Sequence, residues 1–555
     1  MCHINYIPHK TMQAIALEYL AQSLKSLEQR KVKLTETLMK LPNIHKDQVD
    51  EIVREVFEDD KMINSQKELD TNYKRNKYIM ENFKYVAPHE IILNQSDVNR
   101  GLPKDVIHYI PVCEAFKALV EDPTMINILQ TDKEKSGRKV DVIDDVKDGN
   151  LYKNIEFFKQ NPSAYAAIFY SDVLEIVNPL GSARGKHKVI QVFWTLADIP
   201  KAQRSKIDRL QLAMVVKEKL IKKYGYKVIY QNLMKDLKKL EEGIMVNNPT
   251  PRLVKCGLLL HAGDNLESHT VGGFSTCFSS RDVCRFCHIT YTDLVDHIHD
   301  FDGEENHEFW NIAEYDRICD DIERNDDNDG SPHENQTSEP LLEIEGHLFD
   351  EHEEPTEDYD DSDDANENDD DEADERRSTY GLRERCPFNS LQSFHAVYGF
   401  PPDLLHDLFE GVIAQDLCGI IKILSNQDWF TIVEYNQALQ DHPFKYYEVN
   451  DKPQPVNPKG MKLPGKAVSL WLHQRCFGMV IQKFVQDYDD DVLCLGMKLS
   501  DLTERLTASQ FQEYEVDQLE QIILDYLDHR KLIFSDCPAL IGRPKPKHHF
   551  LGKPS

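Results

Sequence analysis

The sequence predicts an α/β fold: a mixed sheet carrying a metal-associated insertion, with helical regions before and after it. Three observations lead there. The first is an apolar run with β-type side chains, AYAAIFYSDVLEIVNPLG from Ala164 to Gly181, followed by further strand-like runs. The second is a change of period on either side, where Leu, Glu, Lys and Gln recur at helical spacing. The third is length: 555 residues exceed one ordinary core and imply several structural units.

Residues 10–82 read as two or three amphipathic helices, in MQAIALEYLAQSLKSLEQRKVKLTETLMKL and QVDEIVREVFEDD, so residues 1–82 form a helical N-terminal region. Residues 83–163 are a mixed connecting region. Within it HYIPVCEAFKALVEDPTMINILQ suggests a turn and then a helix, with Pro111 at its start and Asp122-Pro123 near its end. LYKNIEFFKQ is a short helix that leads into the apolar run.

From Ala164 the reading becomes strands. Ile168–Val177 is the first, closed by the turn signal NPLGSARG. His187–Leu196 is the second and Leu210–Val216 the third. Val228–Ile244 is an amphipathic helix ended by Gly243, and Leu253–His261 is the fourth strand. Asp172 lies inside the first strand and Asp264 just past the fourth. A buried strand rarely keeps a charge without a use for it. Glu175 points to the opposite, wetter face. This β-β-β-α-β order, with one acid inside the first strand and another just after the fourth, is the layout of the RNase H-like nuclease core, in which the first and fourth strands lie side by side. Residues 164–299 are its first part, including the insertion.

Residues 300–380 are acidic and low in complexity, which predicts a disordered, solvated linker. Residues 300–377 hold 34 of the 96 acidic residues and 4 of the 65 basic ones. The remainder therefore carries 62 acids against 61 bases, and the net charge of −31 does not argue against nucleic-acid binding elsewhere. Order resumes in 381–424, where Leu404–Leu424 reads as a long helix carrying Glu410. Residues 425–555 form a further helical region, with a Pro-rich loop over 425–465 and helices over Ala467–Asp487 and Ser500–Leu532. Twelve scattered cysteines, a polar start and no apolar run of membrane length point to a reduced intracellular protein.

Asp172, Asp264 and Glu410 form the candidate catalytic set. Hard carboxylate oxygens suit Mg²⁺ or Mn²⁺, and two such ions serve phosphodiester cleavage and strand transfer. Composition alone leaves strand-end and surface acids as an equal reading. Cys284-Arg285-Phe286-Cys287 is a zinc half-site, for which His395 and His406 in the resumed block are candidate partners; two free thiols are the alternative. A basic run continues from Arg184, Lys186 and Lys188 to Arg204 and Lys206, which are candidate phosphate contacts; for each residue alone a solvated face is the plainer reading. No Walker A loop, dinucleotide fingerprint, nucleophile elbow or HExxH is present, and no small-molecule substrate is indicated.

YSDVLEIVNPLGSARGKHK, AGDNLESHTVGGF followed by CRFCH, and FHAVYGFPPDLLHDLFEGV together resemble the catalytic blocks of animal CACTA (EnSpm) transposases of the CACTA–Mirage–Chapaev group. MKLPGKAVSLW and KPKHHFL are similar to blocks that follow in that family. The resemblance runs from about residue 85 onward. It implies an RNase H-like DDE core, cut-and-paste transposition in the nucleus, DNA partners (transposon ends and target), a homo-oligomer when active and Mg²⁺ or Mn²⁺ dependence. It also implies structural Zn²⁺ at the C-x₂-C insertion. Asp172, Asp264 and Glu410 match the three acids, with Asp407 as fallback for the third; Cys284 and Cys287 match the half-site. The chain stops just after KHHFL and has no N-terminal finger, so a truncated or decayed copy is expected. The alternative function is a domesticated nuclear DNA- or chromatin-binding protein without catalysis; a helical scaffold with an acidic linker is the third reading.

Overall fold

The computed structural model describes residues 30–40, 45–58, 74, 77, 85–135, 141–176, 187–276, 283–295, 308–328, 381–536 and 544–552. The chain divides into two compact units, one made chiefly of residues 1–85 and the other of residues 86–555. In the first unit, Lys46–Glu58 is one of the expected amphipathic helices. Most of the longer apolar repeat before it lies outside the described residues.

The second unit is built on a six-stranded mixed sheet. Its strands are β1 (His89–Ile92), β2 (Val106–Tyr109), β3 (Tyr165–Glu175), β4 (Lys188–Leu196), β5 (Gln211–Lys217) and β6 (Cys256–Ala262). Their order across the sheet is β1-β2-β5-β4-β3-β6. Every neighbouring pair is antiparallel except β3 and β6, which run parallel. The parallel pair requires a crossover, and two helices supply it: α2 (Glu218–Ile229) and α3 (Gln231–Glu242). In α3 the residues Leu233, Leu237 and Leu240 recur every three or four positions and are all buried.

Several elements differ from the sequence reading. The single helix expected over Val228–Ile244 is broken at Tyr230, which caps both α2 and α3. The strand expected to start at Leu253 is two elements. Arg252–Val254 pairs with Ile244–Val246 as a hairpin, and β6 starts afresh at Cys256. β1 and β2 were not read at all: HEII and VIHY are too short and too polar to show a period.

Aromatic side chains fill the sheet's packed face. Phe169 stacks on Trp194 at 6.3 Å, and Phe116 of α1 (Val112–Val120) meets Tyr165 edge-on at 5.6 Å. Ahead of the insertion, α4 (Asn265–Gly272) follows β6 directly. The segment expected to be wholly disordered contains α5 (Ile312–Asn328). There Tyr315, Ile318, Cys319 and Ile322 are buried at helical spacing. Arg385 ties this helix down through Asp316, Asp320 and Glu323. Residues 329–380 lie outside the described residues.

A second core is helical. The helix expected at Leu404–Leu424 opens as a π-helix, Leu405–Ile413, and continues as α6 (Ala414–Asn426). Around α6 pack α7 (Ile432–Asp441), α8 (Ala467–Ile481), α9 (Asp491–Leu506) and α10 (Glu513–Asp536). The helix expected over Ser500–Leu532 is thus two helices, parted where Phe511–Gln512 pairs with Val142–Ile143. A short helix, α11 (Pro546–Phe550), ends the described chain and packs on the π-helix. Among the described residues no helix is long and apolar enough to cross a membrane.

Candidate functional site

β3 and β6 carry the first two acids. In their parallel register Ile168 faces Leu260, Phe169 faces His261 and Tyr170 faces Ala262. Continued for two residues, the same register brings Asp172 beside Asp264. Asp264 caps α4, its Oδ1 accepting the Glu267 backbone N–H at 2.7 Å. Asp172 is half-buried, and the Tyr170 hydroxyl donates to its Oδ2 at 3.1 Å. Burial raises the Asp172 pKa above the usual carboxylate range; the Asp264 charge adds to this, while Tyr170 and His406 oppose it. The two carboxylates are therefore close enough to repel.

The third acid comes from the π-helix. Glu410 is partly exposed, and its Oε1 accepts the Ala467 N–H at 3.1 Å, at the start of α8. His406 links it to the other acids. Its Nδ1 bonds Asp403, its Nε2 lies 4.0 Å from Glu410 Oε2, and it interacts electrostatically with both Asp264 and Asp172. The bond to Asp403 raises the His406 pKa, helped by the surrounding acids. Burial would raise Asp403, but His406 holds it below its ordinary value. Asp172, Asp264, Asp403 and Glu410 thus all interact with one imidazole, whose pKa the Asp403 bond raises. These oxygen donors are of the type that Mg²⁺ or Mn²⁺ takes.

Asp407, the fallback for the third acid, is buried and faces inward. Asn265 donates to its Oδ1 and the Asp403 N–H to its Oδ2. Burial pushes its pKa up to about 6 against the pull of Arg285. Glu410 and Asp407, three positions apart, have separate partners. A carboxylate that sequence reasoning passed over is Glu267. It is buried beside this site, accepting from Ser171 Oγ at 2.6 Å and Tyr226 OH at 3.2 Å, and burial pushes its pKa up to about 7. The sequence did hold a signal for it, since Asp264-x-x-Glu267 has the spacing of a helix-start pair.

Soft donors gather elsewhere. Cys284, Cys287 and His549 are all buried, with donor atoms within 4.8 Å of one another, and Cys287 Sγ lies 3.1 Å from His549 Nε2. The Phe286 N–H points at Cys284 Sγ at 3.3 Å. Two thiols and an imidazole at this spacing fit a metal such as zinc, whose bonds of about 2.0–2.3 Å draw its ligands to within roughly 4 Å of one another. The histidine is not one of those expected. His395 caps Ala396–Gly399 and faces Asn389 at 3.1 Å and Asp316 at 3.5 Å, while His406 belongs to the acids. His549 lies in the KPKHHF block, 262 positions beyond Cys287, and no local spacing joins them.

The two sites are mechanically joined. Arg285, between the cysteines, is buried and donates to Asn265 Oδ1 at 2.7 Å and to the Pro401 carbonyl at 2.8 Å. Asn265 follows Asp264 and also binds Asp407. From α11, Lys547 donates to the His406 carbonyl at 2.8 Å, His548 faces Asp416 of α6, and His549 joins the cysteines.

The basic run divides. Arg184 and Lys186 lie outside the described residues. Lys188 sits opposite Glu175 across β3 and β4. Arg204 is committed internally: its guanidinium donates to both Asp145 oxygens, at 2.8 and 2.6 Å, and to the carbonyls of Ala197 and Ile199. That geometry serves the loop rather than a phosphate. Lys206 is exposed.

No protein-family model matches the chain, and no curated protein matches it.

Proposed function

We propose that this chain is a transposon-derived, DDE transposase-like protein with an RNase H-like core that cleaves and joins DNA strands with divalent metal. One observation carries the reading: Asp172, inside β3, and Asp264, just past the end of its parallel neighbour β6, both interact with His406, whose Nε2 lies 4.0 Å from Glu410. The order β5-β4-β3-β6, three antiparallel strands and then one parallel, supports the RNase H-like reading of the sheet. Asp172, Asp264 and Glu410 would hold Mg²⁺ or Mn²⁺, which would activate water or a 3′-hydroxyl and stabilise the leaving oxygen. The protein's own part is to set the three carboxylates on a strand, a helix cap and a π-helix and to orient the third through the Ala467 N–H. The cysteine cluster is read as structural zinc. DNA ends and target are the partners, a homo-oligomer the acting form and the nucleus the place of action.

A second reading is a DNA-binding protein without catalysis, and His406 favours it. Its imidazole, with a pKa raised by Asp403, already sits among the acids that a metal would balance. Nicking of supercoiled plasmid separates the two. Wild type should nick with Mg²⁺ or Mn²⁺, and Asp172→Ala should not. Equal nicking by both proteins removes this site from the chemistry. Binding without cleavage at any metal concentration selects the second reading.

A further inference from the structure

The long loop between α7 and α8, residues 442–466, has almost no regular structure, yet it is firmly held. The Asn436 side chain binds both the N–H and the carbonyl of Val456, at 2.8 and 3.1 Å. Ser469 Oγ donates to the Lys452 carbonyl at 3.1 Å, and the Leu463 N–H to the Ala414 carbonyl at 2.7 Å. Val456 and Leu463 are buried as plugs. Ordered loops of this length without secondary structure are usually functional.

What this loop presents is basic and aromatic. Between His442 and Lys466 it has five lysines against Glu448 and Asp451, in a chain whose net charge is −31. Tyr446 is 89% exposed and Tyr447 58%. Their rings meet edge-on at 5.2 Å, and Lys445 lies over Tyr447 at 5.7 Å. Two large aromatic rings standing out from a pinned backbone serve no core.

The surface continues toward the acids along α8. Ala467, at the first turn, holds Glu410. One turn on, Trp471 packs between Phe409, at 6.1 Å, and the Arg475 guanidinium, at 5.1 Å. Arg475 in turn lies 4.0 Å from Glu448, next to Tyr447. Eight helical residues thus separate the Glu410 contact from the tyrosine loop, a rise of about 12 Å.

We propose that Tyr446 and Tyr447, with Lys445, Lys452, Trp471 and Arg475, form a docking surface for unpaired DNA leading to the Glu410 end of the site. Aromatic faces stack on bases of any sequence, and interleaved cations follow the phosphates. A closed duplex offers no free base face to the tyrosines. The inference rests on the DNA-directed reading above and names the part of the substrate that this face takes, a single strand.

The test is binding, in EDTA, of fluorescein-labelled oligothymidylate and of a duplex of equal length, followed by anisotropy over a salt series. The full chain is compared with Tyr446→Ala/Tyr447→Ala and with Lys445→Gln/Lys452→Gln. Circular dichroism checks that each variant is folded, and the exposed positions make that the expected result. Loss of both tyrosines should weaken the single strand about five-fold or more and leave the duplex unchanged. Loss of the two lysines should weaken both DNAs and lower the salt slope by about one for each phosphate contact removed. Unchanged single-strand affinity in the tyrosine variant overturns the proposal, as does an equal loss on both DNAs. An acidic peptide that competes as well as oligothymidylate also overturns it, reassigning the face to a protein partner. Asp172→Ala run alongside keeps the two readings apart. Tyrosine-dependent binding without any metal-dependent nicking removes only the catalytic reading. Nicking by a wild type whose tyrosine variant binds normally removes only this one.

Discussion

Glu267→Gln isolates the electrostatic cost of a buried acid. Burial lifts Glu267 from an ordinary 4.5 to about 7, and the side chain is almost fully enclosed by Ser171, Tyr226 and its own helix. For an acid whose folded pKa is raised, the protonated form is the one the fold favours. Its contribution to stability is therefore complete below about pH 4.5 and is lost as pH rises through about 7. At about 1.4 kcal/mol per unit, the wild type loses on the order of 3 kcal/mol from this group across the window. Glutamine keeps the shape and two hydrogen-bonding atoms but cannot ionise. The stability difference, variant minus wild type, should thus move in the variant's favour by about 3 kcal/mol between pH 4.5 and pH 8. Urea unfolding in EDTA at several pH values measures it. EDTA matters because a cation beside Asp172 and Asp264 would itself lower Glu267. Parallel pH curves for the two proteins would refute the reasoning, by showing that Glu267 is ionised in the folded chain throughout the range.

Two further outcomes follow from the soft-donor cluster and from the helical core. Elemental analysis of purified protein should find about one zinc per chain, falling sharply in Cys287→Ser and His549→Ala and unchanged in His395→Ala; zinc lost through His395 instead would overturn the ligand set. Asp416, fully buried, accepts from Arg530 Nε at 2.7 Å and Nη2 at 3.0 Å and from Tyr526, and faces His548. Asp416→Ala removes the carboxylate that faces the buried Arg530 and should cost about 3–5 kcal/mol in urea unfolding, whereas a loss under about 1 kcal/mol would mean the core relaxes around Arg530.

The site was legible where one residue type is costly in its local setting. Asp172 stands out because it interrupts an apolar strand, and β3, β4 and β5 stand out because their apolar residues are too frequent for a loop. Asp264 and Glu410 needed block order as well as chemistry. What was missed depends on partners far along the chain. His549 has no local cue, since its role is set by Cys284 and Cys287 in space. Arg204 reads as a surface base until Asp145 folds against it. α5 was hidden by composition: its acidic residues dominate any average, while four buried positions carry the packing. The π-helix at Glu410 has the apolar pattern of an α-helix, and the insertion that widens it leaves no mark in the sequence.

The cysteine cluster also bears on how the chain reaches its fold. Cys284 and Cys287 form their half-site within a few residues, but His549 arrives 262 residues after Cys287. A metal held by all three closes one very large loop, whose closure entropy rises only slowly with length. The stabilisation such a clip gives approaches that of a long-range cross-link, yet it can be undone by a chelator or by proton uptake at the thiols. The acidic stretch between the two ends could then lengthen or shorten at little thermodynamic cost. Were a metal held there, the clip would leave the acid site's scaffold little affected by the length of the acidic stretch alone.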